Sequence, residues 1–254
     1  MKRKKFLLNV LAGVVIAVSC SSCSDGASSG KIIMTTRSDV EFSCYLTGSG
    51  EATVDLGDGA KKIPSTLSEL GVGITLSPKE SNAPNLTITF TGDSIKGVKC
   101  KGITSLDVSR YPKLKELTIE NSQLTNLDVS HLTELEELTF NDCQLTSLDM
   151  RKNTALTVLR CERCELTSLD VSKNLALNWL LCNHNELTSL DVSKNTALTF
   201  LDCSWNELSS SALNELFESL PTVEDGELKI WANPGEDDCD QSIATNKGWK
   251  VGYW

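Results

Sequence analysis

Histidine is nearly absent from this sequence: His131 and His184 are the only two in 254 residues. The side chain that most often serves as general base is thus scarce. The repeat register described below sets no serine or cysteine nucleophile beside either one. This argues against an enzyme, and no motif asks for a cofactor or a metal. Positive charge is also in short supply, with 24 Lys and Arg against 34 Asp and Glu, a net charge of −10. Phosphate contacts need the opposite sign, so nucleic acid is excluded as a partner, and the acidic balance speaks for solubility. Beyond residue 18 there is no apolar run near the ~20 residues that a membrane-crossing helix needs.

What the sequence has in abundance is repetition. Leu106, Leu127, Leu148, Leu169 and Leu190 recur every 21 residues, each opening a near-copy of Leu-Asp-Val-Ser. A fixed period of about 20 to 29 residues is the mark of a solenoid, in which no coil can bury its apolar side alone. A second motif keeps the same period: Leu117-Thr-Ile-Glu-Asn-Ser-Gln-Leu124, Leu138 to Leu145, Leu159-Arg-Cys-Glu-Arg-Cys-Glu-Leu166, Leu180 to Leu187 and Leu201-Asp-Cys-Ser-Trp-Asn-Glu-Leu208. The pattern Leu-x-Leu-x-x-Asn/Cys-x-Leu resembles the leucine-rich repeat family over more than 100 residues. The linking stretch Leu-Thr-Ser-Leu-Asp-Val-Ser-Lys-Asn-Thr-Ala-Leu is similar to short repeats of surface lipoproteins of the Bacteroides type. The resemblance implies a right-handed α/β-type solenoid with a parallel sheet on its concave face. It also implies a binding scaffold, since such proteins rarely carry enzymatic activity.

The N-terminus reads as a targeting segment. Lys2, Arg3, Lys4 and Lys5 precede the 13-residue apolar stretch Phe6 to Val18, suited to a signal peptide. Ala17-Val18-Ser19-Cys20 resembles a bacterial lipobox, with Cys20 as the lipidated residue and Cys23 as the alternative; an ordinary cleaved signal is the other reading. Residues 1–19 are thus assigned to a lipoprotein signal and 20–30 to a Ser/Gly-rich tether. Their removal would bring the net charge to about −14, four cations being lost with no anion. The expected location is exported and lipid-anchored, at the outer membrane or cell surface.

Residues 31–95 lack the period. Short alternating runs such as Val40 to Leu46, Ala52 to Leu56, Val72 to Leu76 and Asn85 to Phe90, punctuated by Gly and Pro, predict a small antiparallel β-sandwich. Asp55-Leu-Gly-Asp-Gly59 resembles the Asp-Trp-Gly-Asp-Gly turn of PKD-like modules, with Leu56 in the place of Trp. The glycines suit a tight turn, and two carboxylates are too few to hold Ca²⁺. Asp93-Ser94-Ile95 resembles an O-glycosylation motif of Bacteroides exported proteins.

The period also serves as a register for residues 96–208. Side chains alternate along a strand, so motif positions one and three face the core and positions two and four face the concave side. With 21 residues per coil the convex side has no room for a full helix and should be extended or 3₁₀. Position six (Ser122, Cys143, Cys164, Asn185, Asn206) should hydrogen-bond backbone that would otherwise be buried unpaired. Ten cysteines in an exported chain first suggest disulfides, but the register places Cys161, Cys182 and Cys203 at core position three and Cys143 and Cys164 at position six. The apparent CxxC of Cys161 and Cys164 is read as buried thiols, with a ladder disulfide or a metal as the alternatives. Cys100 and Cys239 lie near opposite ends and should not pair. The aspartates after each repeat leucine, Asp107 to Asp191, form a column of like charge that local Asx-type turns would compensate, with a cation bound along the column as the alternative.

Residues 209–254 should close the solenoid. Leu213, Leu216, Phe217 and Leu220 recur at helical spacing after three serines. Leu228 to Asn233 repeats the strand motif 27 residues after Leu201, and a helix accounts for the longer coil. A second short helix is expected between Asp240 and Gly248, with Trp249, Val251, Tyr253 and Trp254 covering the open end.

The register also reads out the concave face. Its first two coils present Glu, Thr, Asn and Asp. The last three present Val158, Trp179, Leu181, Phe200 and Trp205, with Arg160, Arg163 and His184 among them. Aromatic residues with arginine in an apolar cluster mark interaction sites. The candidate ligand-binding set is therefore Arg160, Arg163, Trp179, Leu181, His184, Phe200 and Trp205, for a protein or glycan ligand, on a monomer; the other reading is that the C-terminal cap or the coil edge buries part of this cluster. The alternative is a structural or assembly component of the cell envelope, which a uniformly polar concave face would favour.

Overall fold

The computed structural model describes residues 30–37, 41–48, 50–55, 63–67, 72–76, 85–92 and 94–252. The expected signal segment, the lipidation candidates Cys20 and Cys23, most of the tether, the turn after Asp55, Asp93 of the glycosylation motif, Tyr253 and Trp254 lie outside them.

Among the described residues eight strands precede the regular coils: β1 (Gly30–Arg37), β2 (Phe42–Gly48), β3 (Gly50–Asp55), β4 (Ile63–Leu67), β5 (Val72–Leu76), β6 (Asn85–Gly92), β7 (Ile95–Lys101) and β8 (Ile103–Asp107). Five form an antiparallel sheet in the order β4-β3-β6-β1-β8. The other three begin a ten-stranded sheet. In it β7 is antiparallel to β2, with Cys44 opposite Cys100, and parallel to the next strand, β9 (Glu116–Ser122). The boundary expected after residue 95 therefore falls inside β7. The sheet runs through it, and β8 returns to β1 on the other layer.

From β9 onward the sheet is parallel: β10 (Glu137–Cys143), β11 (Val158–Arg160), β12 (Trp179–Leu181), β13 (Phe200–Asp202), β14 (Gly226–Lys229) and β15 (Trp249–Val251). This is a solenoid of about seven coils with little helix. Leu117, Leu138, Leu159, Leu180, Leu201 and Leu228 stand in register at position one, and all are fully buried. On the convex side each 21-residue coil makes consecutive i to i+3 turns, such as Asn174 N–H to Val171 C=O and Leu177 N–H to Asn174 C=O, both 3.0 Å. Such turns rise steeply per residue and complete a coil in few residues. The long coil carries α1 (Ser210–Ser219), capped by Ser209, whose hydroxyl accepts from the Ala212 N–H, and it buries Leu213, Leu216 and Phe217. A single turn, α2 (Ser242–Thr245), precedes β15, whose Trp249 is buried and donates its indole N–H to Pro221 C=O at 2.7 Å.

Two ladders of polar side chains hold the coils together. At position six, Asn206 Nδ2 donates to Cys182 C=O (2.9 Å) and Cys203 C=O (3.0 Å), while its Oδ1 accepts from Leu187 N–H (3.0 Å). Asn185 and Asn233 repeat this pattern. In earlier coils Ser122 and the weaker donors Cys143 and Cys164 reach carbonyls from the same place. The second ladder, on the convex side, went unread in the sequence. Asn153, Asn174 and Asn195 are fully buried, and each Nδ2 donates to two carbonyls of the preceding coil. The Lys-Asn-Thr and Lys-Asn-Leu tripeptides at 21-residue spacing were its signal.

Candidate binding site

The columns of the parallel sheet decide where each candidate residue lies. Trp179 and Phe200 stand side by side just before position one. Their rings stack at 4.1 Å between centroids, 6° from parallel. Trp179 is 38% exposed, whereas Phe200 is only 7% exposed, and the Lys229 ammonium sits 5.5 Å from the Phe200 ring centroid. Phe200 thus differs from the exposed contact expected of it. It is a support, held between an indole and a cation, and of the stacked pair Trp179 offers the free aromatic surface. At position two Arg160, Leu181 and Asp202 follow one another in register, each half-buried. Arg160 lies 3.8 Å from Glu137 of the preceding coil, and Asp202 Oδ1 accepts from Ser204 N–H at 3.1 Å.

Arg163, His184 and Trp205 occupy a different place. They are at position five, where the strand ends, and every residue of that column has positive φ: Asn121 47°, Asp142 53°, Arg163 53°, His184 56°, Trp205 53° and Ala232 57°, following Gly102 at 72°. This left-handed turn lets the backbone N–H keep bonding the next coil, as from His184 to Ser204 C=O and from Trp205 to Trp231 C=O. It also swings position six inward. Asn and Asp accept this conformation more readily than bulky side chains, so the arginine, imidazole and indole are held there at a cost in backbone energy. Ring contacts offset that cost. His184 stacks on Trp205 at 5.1 Å and 10°, and Trp231 meets Trp205 edge-on at 5.4 Å and 75°. Trp205 remains 45% exposed.

The seven candidates therefore form two clusters rather than one. Trp179, Phe200, Leu181 and Arg160 belong to the concave face, whereas Arg163, His184 and Trp205, joined by Trp231, belong to the strand-exit rim. Along each strand, Trp179 and Phe200 precede His184 and Trp205 by five residues, and Arg160 and Leu181 precede Arg163 and His184 by three. Sequence reasoning missed Trp231 as a site residue because it was read only as part of the closing coil.

The remaining polar chemistry is structural. In five successive coils an aspartate accepts the backbone N–H two residues on: Ser109 to Asp107 (2.9 Å), Ser130 to Asp128 (2.9 Å), Arg151 to Asp149 (3.0 Å), Ser172 to Asp170 (3.0 Å) and Ser193 to Asp191 (2.8 Å). Asp149 also takes two bonds from the Arg151 guanidinium. The Ser109, Ser130 and Ser172 side chains and backbones hold Asp107, Asp128 and Asp170 below the usual carboxylate range, and the Ser193 backbone does the same for Asp191. The Arg151 side chain takes Asp149 down to about 2. Cys161, Cys182 and Cys203 are fully buried free thiols, and burial pushes each one's pKa up. Such thiols pack as small hydrophobes and are poor nucleophiles. A hydrogen bond to Cys164 raises Cys143 in the same direction.

No protein-family profile matches the chain, and no curated protein does. Its solved structural neighbours are leucine-rich repeat proteins. The functional domain of InlJ from Listeria monocytogenes, described as including a cysteine ladder, is 40% identical with a TM-score of 0.48, over 56% of this chain and 30% of that one. An internalin, inlF, from Listeria monocytogenes is 21% identical with a TM-score of 0.43, over 57% and 48%. A leucine-rich repeat protein of Leptospira interrogans is 18% identical with a TM-score of 0.46, over 57% and 44%. The match thus spans less than half the length of each neighbour.

Proposed function

We propose that this chain is a non-enzymatic binding protein, exported and lipid-anchored through Cys20, that captures a protein or glycan ligand on the concave face of its solenoid. One observation carries the reading: Trp179 lies 38% exposed on that face, backed by a buried, parallel Phe200. A large indole exposed on a rigid support is a typical hot-spot anchor. Leu181 and Arg160 extend the apolar and hydrogen-bonding surface on neighbouring columns, and the polar first coils leave the rest of the face wet. The test is a pull-down and a glycan array with the purified protein, set beside Trp179→Ala and Trp205→Ala variants. Loss of a ligand with Trp179→Ala is expected. Equal capture by all three proteins would remove the concave-face reading.

A further inference from the structure

The strand-exit rim has a chemistry of its own. Between the coils of β12 and β13 lies a groove of about 340 Å³, lined by His184 and Trp205, by Glu186 and Glu207, and by the ladder residues Asn185 and Asn206. The ladder residues contribute little to recognition, because their amides are already engaged in bonds to buried backbone. The backbone N–H groups of Glu186 and Glu207 are also taken, by Leu166 and Leu187 C=O. What the groove leaves open is aromatic surface and two exposed carboxylates. Glu165 continues the carboxylate row one coil earlier. None of the three forms an ion pair among the described residues. Like charges repeated at the coil spacing of about 4.8 Å repel one another, and no cation lines the groove to relieve them. Arg163, the cation of the position-five column, stands one coil away.

We infer that this groove is a second binding site, specific for cationic side chains: it takes lysine or arginine from a basic segment of a partner protein, with the alkyl or guanidinium part against Trp205 and the charge between Glu186 and Glu207. Indole is the best aromatic partner for a cation, and carboxylates add charge-assisted hydrogen bonds. A neutral sugar could also lie on the rings. It would leave two carboxylates unneutralised and would find only ring N–H groups as donors. An anionic ligand would be repelled. The inference rests on reading the solenoid as a binding protein, but not on the cluster around Trp179.

Hexalysine is the probe, titrated calorimetrically against the purified protein at physiological salt, with hexaglutamate and a neutral hexasaccharide as comparisons. Hexalysine should bind, with Glu186→Gln/Glu207→Gln weakening it about fivefold or more and Trp205→Leu acting in the same direction. The glutamine pair is isosteric and exposed, so it tests the site without a folding penalty. Glu215→Gln/Glu218→Gln, on the exposed side of α1, removes the same charge elsewhere and should change affinity less than twofold. Trp179→Ala should leave hexalysine binding unchanged whether or not it abolishes capture of the concave-face ligand, so the two readings fail separately. Equal weakening by both glutamine pairs would mean unspecific charge attraction and overturn the inference. So would binding of the hexasaccharide, but not of hexalysine, in a Trp205-dependent manner.

Discussion

The asparagine ladder allows a quantitative test of how the coils are joined. Asn206 is 3% exposed and serves four backbone groups. Its removal is not equally felt by all four: Ser204 C=O keeps the His184 N–H at 3.0 Å. Cys182 C=O also receives Asn185 Nδ2 at 3.0 Å, and Cys203 C=O also receives Asn233 Nδ2 at 3.0 Å. In Asn206→Ala only the Leu187 N–H loses its partner outright. A buried orphan costs about 1–3 kcal/mol, and each redundant bond about 0.5–1 kcal/mol, which gives roughly 3 kcal/mol. Asn185→Ala should cost a similar amount, orphaning Leu166 N–H. The double variant differs from the sum, because Cys182 C=O then loses both donors. An additional penalty of about 1–2 kcal/mol is expected from that one carbonyl. Urea unfolding followed by circular dichroism measures all four corners of the cycle. Asn206→Cys, which copies the natural choice at Cys143 and Cys164, should lie between wild type and alanine. Additivity within about 0.5 kcal/mol would refute shared satisfaction as the principle of the ladder.

Other outcomes follow from the site and its surroundings. Trp205→Gly should destabilise less than Trp205→Ala by about 1 kcal/mol, because both lose the ring contacts but only glycine is free of strain at φ 53°; urea midpoints read the difference. Asp149 should titrate near 2 by carboxyl NMR, and Arg151→Ala should move it up toward the ordinary value. Because its folded pKa is depressed, its stabilising contribution is present above the unfolded value of about 4. That contribution is lost as pH falls from there through about 2. Among the described cysteines, half-buried Cys239 should react first with iodoacetamide at pH 8. Cys161, Cys182 and Cys203 should react only with unfolding, as mass spectrometry of the labelled peptides would show; early labelling of Cys161 would contradict its place in the core.

Much of this molecule was legible because a 21-residue coil leaves few options. Once Leu117 and its equivalents were set facing inward, period-two alternation assigned Cys161, Cys182 and Cys203 to the core and Trp179 to the concave face. The apparent CxxC dissolved for the same reason, since its two cysteines fall in different columns. The convex asparagines went unread: Lys-Asn-Thr has the composition of a polar turn, yet Asn153, Asn174 and Asn195 are fully buried. A turn residue can point inward when the preceding coil offers it carbonyls. Phe200 was misjudged because alternation gives the direction of a side chain but not what its neighbours cover.

By itself the sequence determined the repeat, the inward and outward columns and the short convex side, all consequences of spacing along one chain. Tertiary structure decided what depends on neighbouring coils. It carried the parallel sheet through β7 into the antiparallel strands, buried Phe200 beneath Trp179, and set His184, Trp205 and Trp231 together on the rim. The physical reason is that a period specifies each residue's direction from its own coil. Exposure, stacking and charge are set by the side chains about 4.8 Å away on the next.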